Sequence, residues 1–460
     1  VDEWFDAEQH VDRAHEAYDA GRWDEAEAAL REALSLNPYR AEWHFNLGLT
    51  LEAAGKPGEA AAAFREADAL EPGDGQTLLL VGVNLLRAGD ARGALEWLER
   101  AQAAMPQDAA PLVHRIAAHA QLGEHEQAEV TFYLAQQVDP QCAEAYANLA
   151  DSLLARGLND KAIWCLREAA QLDPGLPHVH ARLAEAYAGT GRLERARQLY
   201  LVQLRQDPGD LGTLLDLGQL LVEMNRLAEA GEKFRRVLEL EPDNTEAHFL
   251  LGELALRQGA VEEARQHFDV VVRLDGRFPG GRRRLARLIL DHGQPSERSR
   301  AHDLLEADLE EFESRPDSLA DLELEELGEL LLDAGMPVEA RRVFQALVRR
   351  HPGEARARHL LSVACFRMGD RRAGTEMAKE VLRADAKFVP AMHNLAVAAV
   401  HEGNWVRARY WVSQALLVDP EDGALRRLRL RLRLHAVGEA AAWVAAVLLR
   451  RRGPWGAGAR

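Results

Sequence analysis

Seven prolines stand 34 residues apart, at Pro38, Pro72, Pro106, Pro140, Pro174, Pro208 and Pro242. A glycine or asparagine precedes each by 17 positions (Gly21, Gly55, Gly89, Gly123, Gly157, Gly191, Asn225), and an alanine falls between them (Ala26, Ala60, Ala94, Ala128, Ala162, Ala196, Ala230). This period marks a stack of helix–turn–helix units. Such an array lengthens without enlarging any single core, so 460 residues need not imply several globular domains.

One unit serves as the template. The sequence predicts helix A over Ala41 to Ala54, with Leu47, Gly48 and Leu51 on one face. Gly55-Lys56-Pro57 is the turn: glycine tolerates positive φ at a helix end, and proline at a helix start loses no needed N–H. Helix B follows from Gly58 to Leu70, with Ala60, Phe64 and Ala67 inward at 3.6-residue spacing, and Pro72 stops it. Gly48 and Ala60 let the paired helices approach, and Phe64 fills the space between units. The template fits twelve times, from units beginning near Ala7, Ala41, Gly75, Ala109, Ala143, Pro177, Leu211, Thr245, Pro279, Asp321, Ala355 and Val389. The turn glycine recurs at Gly259, Gly293, Gly335, Gly369 and Gly403.

On these markers the chain resembles the tetratricopeptide repeat (TPR) family from roughly Ala7 to Pro420. The resemblance implies an all-α fold: an α-solenoid of tandem repeats forming a right-handed superhelix of more than one turn. The expected organisation is a regular array over 1–278, a divergent ninth repeat over 279–320, and repeats ten to twelve over 321–422. Arg-rich capping helices over 423–452 and a disordered tail over 453–460 complete it.

Two places break the rhythm. The turn glycines Gly293 and Gly335 stand 42 apart, eight more than the period. Ser299 to Glu313 still reads as a helix, with Leu304, Leu305 and Leu309 as its stripe, and Ser318 with Asp321 resembles a capping box before the next helix. This insertion reads either as a lengthened helix B with a longer connection, or as a hinge or partner-specific bump. At the other break, Leu425 to Leu434 alternates leucine and arginine, and Glu439 to Arg452 is strongly apolar before Arg450-Arg451-Arg452. An array must cover its open apolar end, so a capping helix pair is expected there. The apolar run from Ala436 to Leu449 is too short to span a bilayer, which takes roughly 20 residues. Docking on an anionic membrane surface, or on a partner or nucleic acid, is the alternative.

Charge is divided unevenly. The net charge is −18, but Gly423 to Arg460 holds nine arginines and one acid, Glu439, for +8, leaving −26 on the rest. That acidic body argues against general nucleic-acid binding. The 51 arginines against 5 lysines read as codon bias of a GC-rich, bacterial genome. Cys142, Cys165 and Cys365 form no CxxC pair and read as reduced structural thiols. A cytoplasmic location is expected, although Val1 at the start lets missing export signals carry little weight.

No nucleotide, hydrolase or metalloprotease motif is present, and no cofactor is expected. His114, His119 and His125 do not converge: His119 is expected to face the helix pair and His125 lies in a turn. Only 38 residues follow repeat twelve, too few for a catalytic domain, so the chain reads as a non-enzyme.

In the family that the chain resembles, helix A lines a concave groove through the second, fifth, ninth and twelfth positions of each unit. Here repeats two to four give Phe45, Leu49, Leu79, Val83, Leu86 and Val113, an apolar strip that reads as a partner-binding groove. The competing reading buries these residues inside the superhelix. The strip turns acidic over repeats five to eight, at Glu144, Asp151, Glu185, Glu246 and Glu253. In repeats nine and eleven Arg283, Arg287 and Arg356 make a secondary basic patch. The fifth positions hold no lysine, and Asn46 and Asn148 match only parts of a carboxylate clamp, which disfavours a co-chaperone role. The leading expectation is a scaffold that binds peptide or helical segments of protein partners. The alternatives are a membrane-associated assembly or export factor that uses its Arg-rich C-terminus, and an accessory subunit presenting a substrate protein to an enzyme.

Overall fold

A computed structural model describes residues 2–451, with side chains over 7–438 and at Ala441. The tail expected over 453–460 lies outside the described residues. The chain is all-α: 25 α-helices and one 3-10 turn, with no strand among the described residues. Twelve A/B pairs run from Asp2–Asp19 with Trp23–Leu36 to Val389–His401 with Trp405–Val418, and one last helix follows. The helices fall into two compact units, one ending at Pro242 and the other beginning at Asp243. The first contains repeats one to seven, and the second contains repeats eight to twelve with the terminal helix.

Local chemistry sets each unit. In repeat two, helix A is Ala41–Ala53 and helix B is Pro57–Leu70. Gly55 sits at φ +72°, where its N–H donates to the Glu52 carbonyl (3.0 Å) and the Lys56 N–H donates to that of Leu51 (2.8 Å). These bonds satisfy carbonyls that a helix end otherwise leaves open. Asn225 holds the same left-handed conformation at φ 58°, which explains why asparagine replaces glycine there. Where a helix A starts after Asp74, Asp210 or Asn244, that side chain accepts from the backbone N–H three residues on.

The core repeats one interlock. A Cβ on Gly48 would lie 2.6 Å from the Phe64 ring, so helix B's ring occupies the space a side chain on helix A would need. Phe64, Phe234, Phe268 and Phe344 are all completely buried, and each sits against a glycine: Gly48, Gly218, Gly252 or Gly328. Other repeats fill the same space differently, with leucine beside alanine in Ala14/Leu30 and Ala150/Leu166, leucine beside glycine in Gly82/Leu98, and a tyrosine ring beside alanine in Ala184/Tyr200. Repeat four puts a large side chain at the small position. Ile116 holds the glycine position, and Phe132 packs edge-on with Tyr146 of the next repeat at 5.0 Å.

In the second unit, the extra residues of repeat nine are spread out. A 3-10 turn, Pro295–Glu297, enters the connection, and helix B is Arg298–Ser314, 17 residues against 14 in repeat eight. Leu304, Leu305, Leu309 and Phe312 bury its stripe. The capping box expected of Ser318 and Asp321 is not the one formed. Helix A of repeat ten starts at Asp321, and the Glu323 carboxylate accepts from the Ala320 N–H at 2.9 Å, because Ala320 and not Ser318 immediately precedes the helix. The expected C-terminal helix pair is also replaced. Gly423–Arg451 is one continuous helix of 29 residues, since Gly438 arrives without a proline or a turn residue to stop it. Its Leu425 and Leu432 are buried with Val412 and Leu416 of repeat twelve.

Candidate protein-binding groove

The predicted groove residues divide by depth. Leu79, Leu86 and Val113 are buried, with Val113 only 2 % exposed. Phe45, Leu49 and Val83 are half-buried and pack against the same core, Phe45 edge-on to Phe64 at 5.3 Å. The competing reading thus holds for Leu79, Leu86 and Val113, and not for the half-buried Phe45, Leu49 and Val83. Val83, one turn along from Leu79, still faces open space.

That space is a channel of about 350 Å³ on the A helices of repeats three to six, within the first unit. Val83, Leu86, Ala117, Ala147, Leu176 and Pro177 give it apolar walls, and Arg87, His114, Gln121, Glu144, Asn148, His178 and Arg182 make it polar. Arg87 pairs with Glu52, and Arg182 lies 3.5 Å from Asp151. Asn148 Nδ2 donates to the Val113 carbonyl at 3.0 Å, which fixes its amide across the repeat boundary. Burial lowers the His114 pKa, so this ring is a neutral hydrogen-bonding group. Asp151 nearby is pushed up to about 6 by burial, against the opposing charge of Arg182. The arrangement offers apolar contact and neutral hydrogen bonding along one trough, with charge largely cancelled.

Part of this lining is missed by the sequence reading. Helix A of repeat six starts late, at Val179, because His178 adopts φ 58°. Leu176, Pro177 and His178 thus enter the channel, and His178 Nδ1 pairs with Asp210 at 3.2 Å. The Gly175-Leu176-Pro177 stretch, irregular among the segments leading into helix A, was the available signal. A second cavity, about 490 Å³, opens between Phe132, Tyr133 and Trp164 of the B helices of repeats four and five, over Leu149 and Leu153 of the fifth repeat's helix A. Tyr133 and Trp164 are exposed there. Its signal was the isoleucine at 116 that displaces the usual glycine.

The secondary basic patch, in the second unit, has its charge matched by carboxylates. Arg283 is buried and faces Glu323 (2.6 Å), Asp308 (3.6 Å) and Glu326 (3.7 Å). Arg282 reaches Asp308 and Glu311, and Arg284 reaches Glu253 and Glu326. Arg287 pairs with Asp333, and Arg356 with Glu325. The insertion brings Asp308 over Arg283, and each of the three predicted arginines is held in an ion pair. His119 and His125 bond to Glu124 and Ser152 respectively, and no metal-holding group of His, Cys, Asp or Glu occurs among the described residues.

Two sequence profiles, both described as tetratricopeptide repeat, match the chain. One matches residues 11–75, 215–282 and 325–370, and the other 153–211, together more than half of the chain. No curated protein matches it significantly. Similar solved structures include TTC0263, a thermophilic TPR protein of Thermus thermophilus, with 26 % identity, 40 % of this chain and 100 % of that one covered, and a TM-score of 0.37. Another is the APC/C hetero-tetramer Cut9–Hcn1, with 16 % identity, 93 % and 96 % covered, and a TM-score of 0.37. A third is YrrB, a TPR protein with an unusual peptide-binding site, with 20 % identity, 40 % and 90 % covered, and a TM-score of 0.33. With its 34-residue period, its helix pairs and these matched segments, the chain belongs to the tetratricopeptide repeat family.

Proposed function

We propose that this chain is a non-catalytic scaffold that holds an extended, partly apolar segment of a partner protein in the channel of repeats three to six. By doing so it organises a multi-protein complex. The observation that carries the reading is the channel itself: apolar walls at Val83, Ala117, Leu176 and Pro177 beside neutral polar groups at His114, Gln121 and Asn148. An extended segment presents side chains and backbone amides alternately, and this trough matches both. Its size falls in the range of ligand clefts, about 300–1,000 Å³. Membership of a family of interaction modules supports the same reading.

The test is selection of binding peptides from a displayed random library, followed by measurement on two variants. Val83→Glu with Ala117→Glu puts charge into the trough at half-buried positions. Loss of peptide binding with unchanged melting supports the groove, and retained binding places the peptide elsewhere.

A further inference from the structure

The terminal helix, Gly423–Arg451, has two apolar faces. Leu425, Leu428 and Leu432 lie against repeat twelve, in one cluster with Met392, Ala408, Val412 and Leu416. His435 stacks on Trp405 at 3.7 Å on the same side. Leu430, Leu434, Val437 and Ala441 recur at the i, i+4, i+7 and i+11 spacing of a single helix stripe, half a turn from the buried one. Leu430, Leu434 and Val437 are 57 %, 64 % and 67 % exposed, so nothing among the described residues covers them.

Arginines border this outward stripe on both edges. At the helical angle of about 100° per residue, Arg427 and Arg431 fall on one side, and Arg426 and Arg433 on the other. All four are exposed, as is Arg429. Arg426 pairs with Glu421, but Arg429, Arg431 and Arg433 make no ion pair among the described residues.

We propose that this outward face docks on an anionic phospholipid surface, with the helix lying in the plane of the interface. Leucine and valine side chains enter the edge of the acyl region, while the flanking guanidinium groups reach the phosphates. The charge pattern selects this occupant. A second copy of the helix would set arginine edge against arginine edge, with Glu439 the only acid from Gly423 onward to answer them. Nucleic acid would engage the arginines and leave the leucines in water. No described helix is long and apolar enough to cross a membrane, so the helix lies on the surface. Repulsion of the acidic body is confined to about a Debye length, ~10 Å at moderate salt. The inference does not depend on the groove.

The experiment is flotation of the full chain with two kinds of vesicle, phosphatidylcholine alone and phosphatidylcholine mixed with phosphatidylglycerol. The protein should float with the mixed vesicles, far less with the neutral ones, and release as salt is raised. Leu430→Glu with Leu434→Glu should weaken binding by about tenfold or more. Arg429→Gln, Arg431→Gln and Arg433→Gln together should weaken it by about fivefold per arginine. All five positions are exposed, so circular dichroism and melting should match the parent protein, and the groove peptide should still bind. Failure of the parent to float, equal flotation with neutral vesicles, or unaltered binding by the leucine variant would each overturn the proposal. So would a dimer that the leucine variant splits without any vesicle binding, which would give the face to a second copy. Duplex DNA binding that the leucine variant retains, with no flotation, would give it to nucleic acid.

Discussion

Glycine at position eight of helix A and phenylalanine at position 24 of the unit form one device, and it yields a test. Gly48→Ala drives a methyl to 2.6 Å from the Phe64 ring. Overpacking of this kind costs about 1–3 kcal/mol, and the alanine regains about 1 kcal/mol of helix propensity, so a net loss of about 0–2 kcal/mol is expected. Adding Phe64→Leu recreates the Ala/Leu pairing of repeats one and five and should restore most of the loss. Denaturant melts of the parent, the single and the double variant measure this. At this scale the sequence was informative because the constraint is local: positive φ at Gly55 and a ring beside Gly48 each admit few residue types. Burial in the groove was not legible in the same way. Leu79 and Val83 lie one turn apart on one helix, and only the next repeat's helix A covers the first and leaves the second open.

The inserted element in repeat nine shows why a run of like charges can mislead. Arg283, Arg287 and Arg356 read as a basic patch, but Arg283 meets Asp308, Glu323 and Glu326 from across the insertion, and Arg287 and Arg356 pair with Asp333 and Glu325. The acidic run that follows the arginines was visible, whereas the helix lengths that bring the two together were not. Burial raises the Asp308 pKa despite the arginines beside it, so the pair depends on its geometry. Arg283→Ala should cost about 3 kcal/mol, the lower end for breaking a buried pair, because Arg282 still contacts Asp308. Hydrogen exchange should quicken in repeats nine and ten. No change there would show that the network contributes nothing. The terminal helix also escaped the sequence in part: a break was read where Gly438 merely continues the helix.

For the whole molecule, the repeats stabilise one another through neighbouring interfaces, so perturbations should stay local. Two titrations of opposite sign test this within one chain. Burial raises Asp151, in repeat five, from 3.8 to about 6. Folded protein then binds more protons than unfolded, so this contribution is favourable below about pH 4 and is lost as pH rises through about 6. With the carboxylate 41 % exposed, it amounts to at most about 1 kcal/mol. Burial, with Arg356 adding to it, lowers His359 in repeat eleven from 6.5 to about 4. Its contribution is present above pH 6.5 and is lost as pH falls toward 4. Acidification from about pH 7 to about 5 should therefore raise protection, measured against the intrinsic exchange rate at each pH, in repeat five and lower it in repeat eleven. Asp151→Asn and His359→Leu should each flatten their own response and leave the other intact.

The fold was readable from period alone, while the proposed working surface depended on irregularities: a late helix start at Val179 and a left-handed His178. The claim that joins them is that the channel of repeats three to six receives a partner's extended segment. Hydrogen exchange of the full chain with and without a selected peptide tests it most directly. The account predicts protection confined to the A helices around Val83, His114, Ala117 and Asn148, abolished by Val83→Glu with Ala117→Glu at unchanged melting temperature. Protection on the B-helix face around Tyr133 and Trp164, or protection that survives those substitutions, would contradict it.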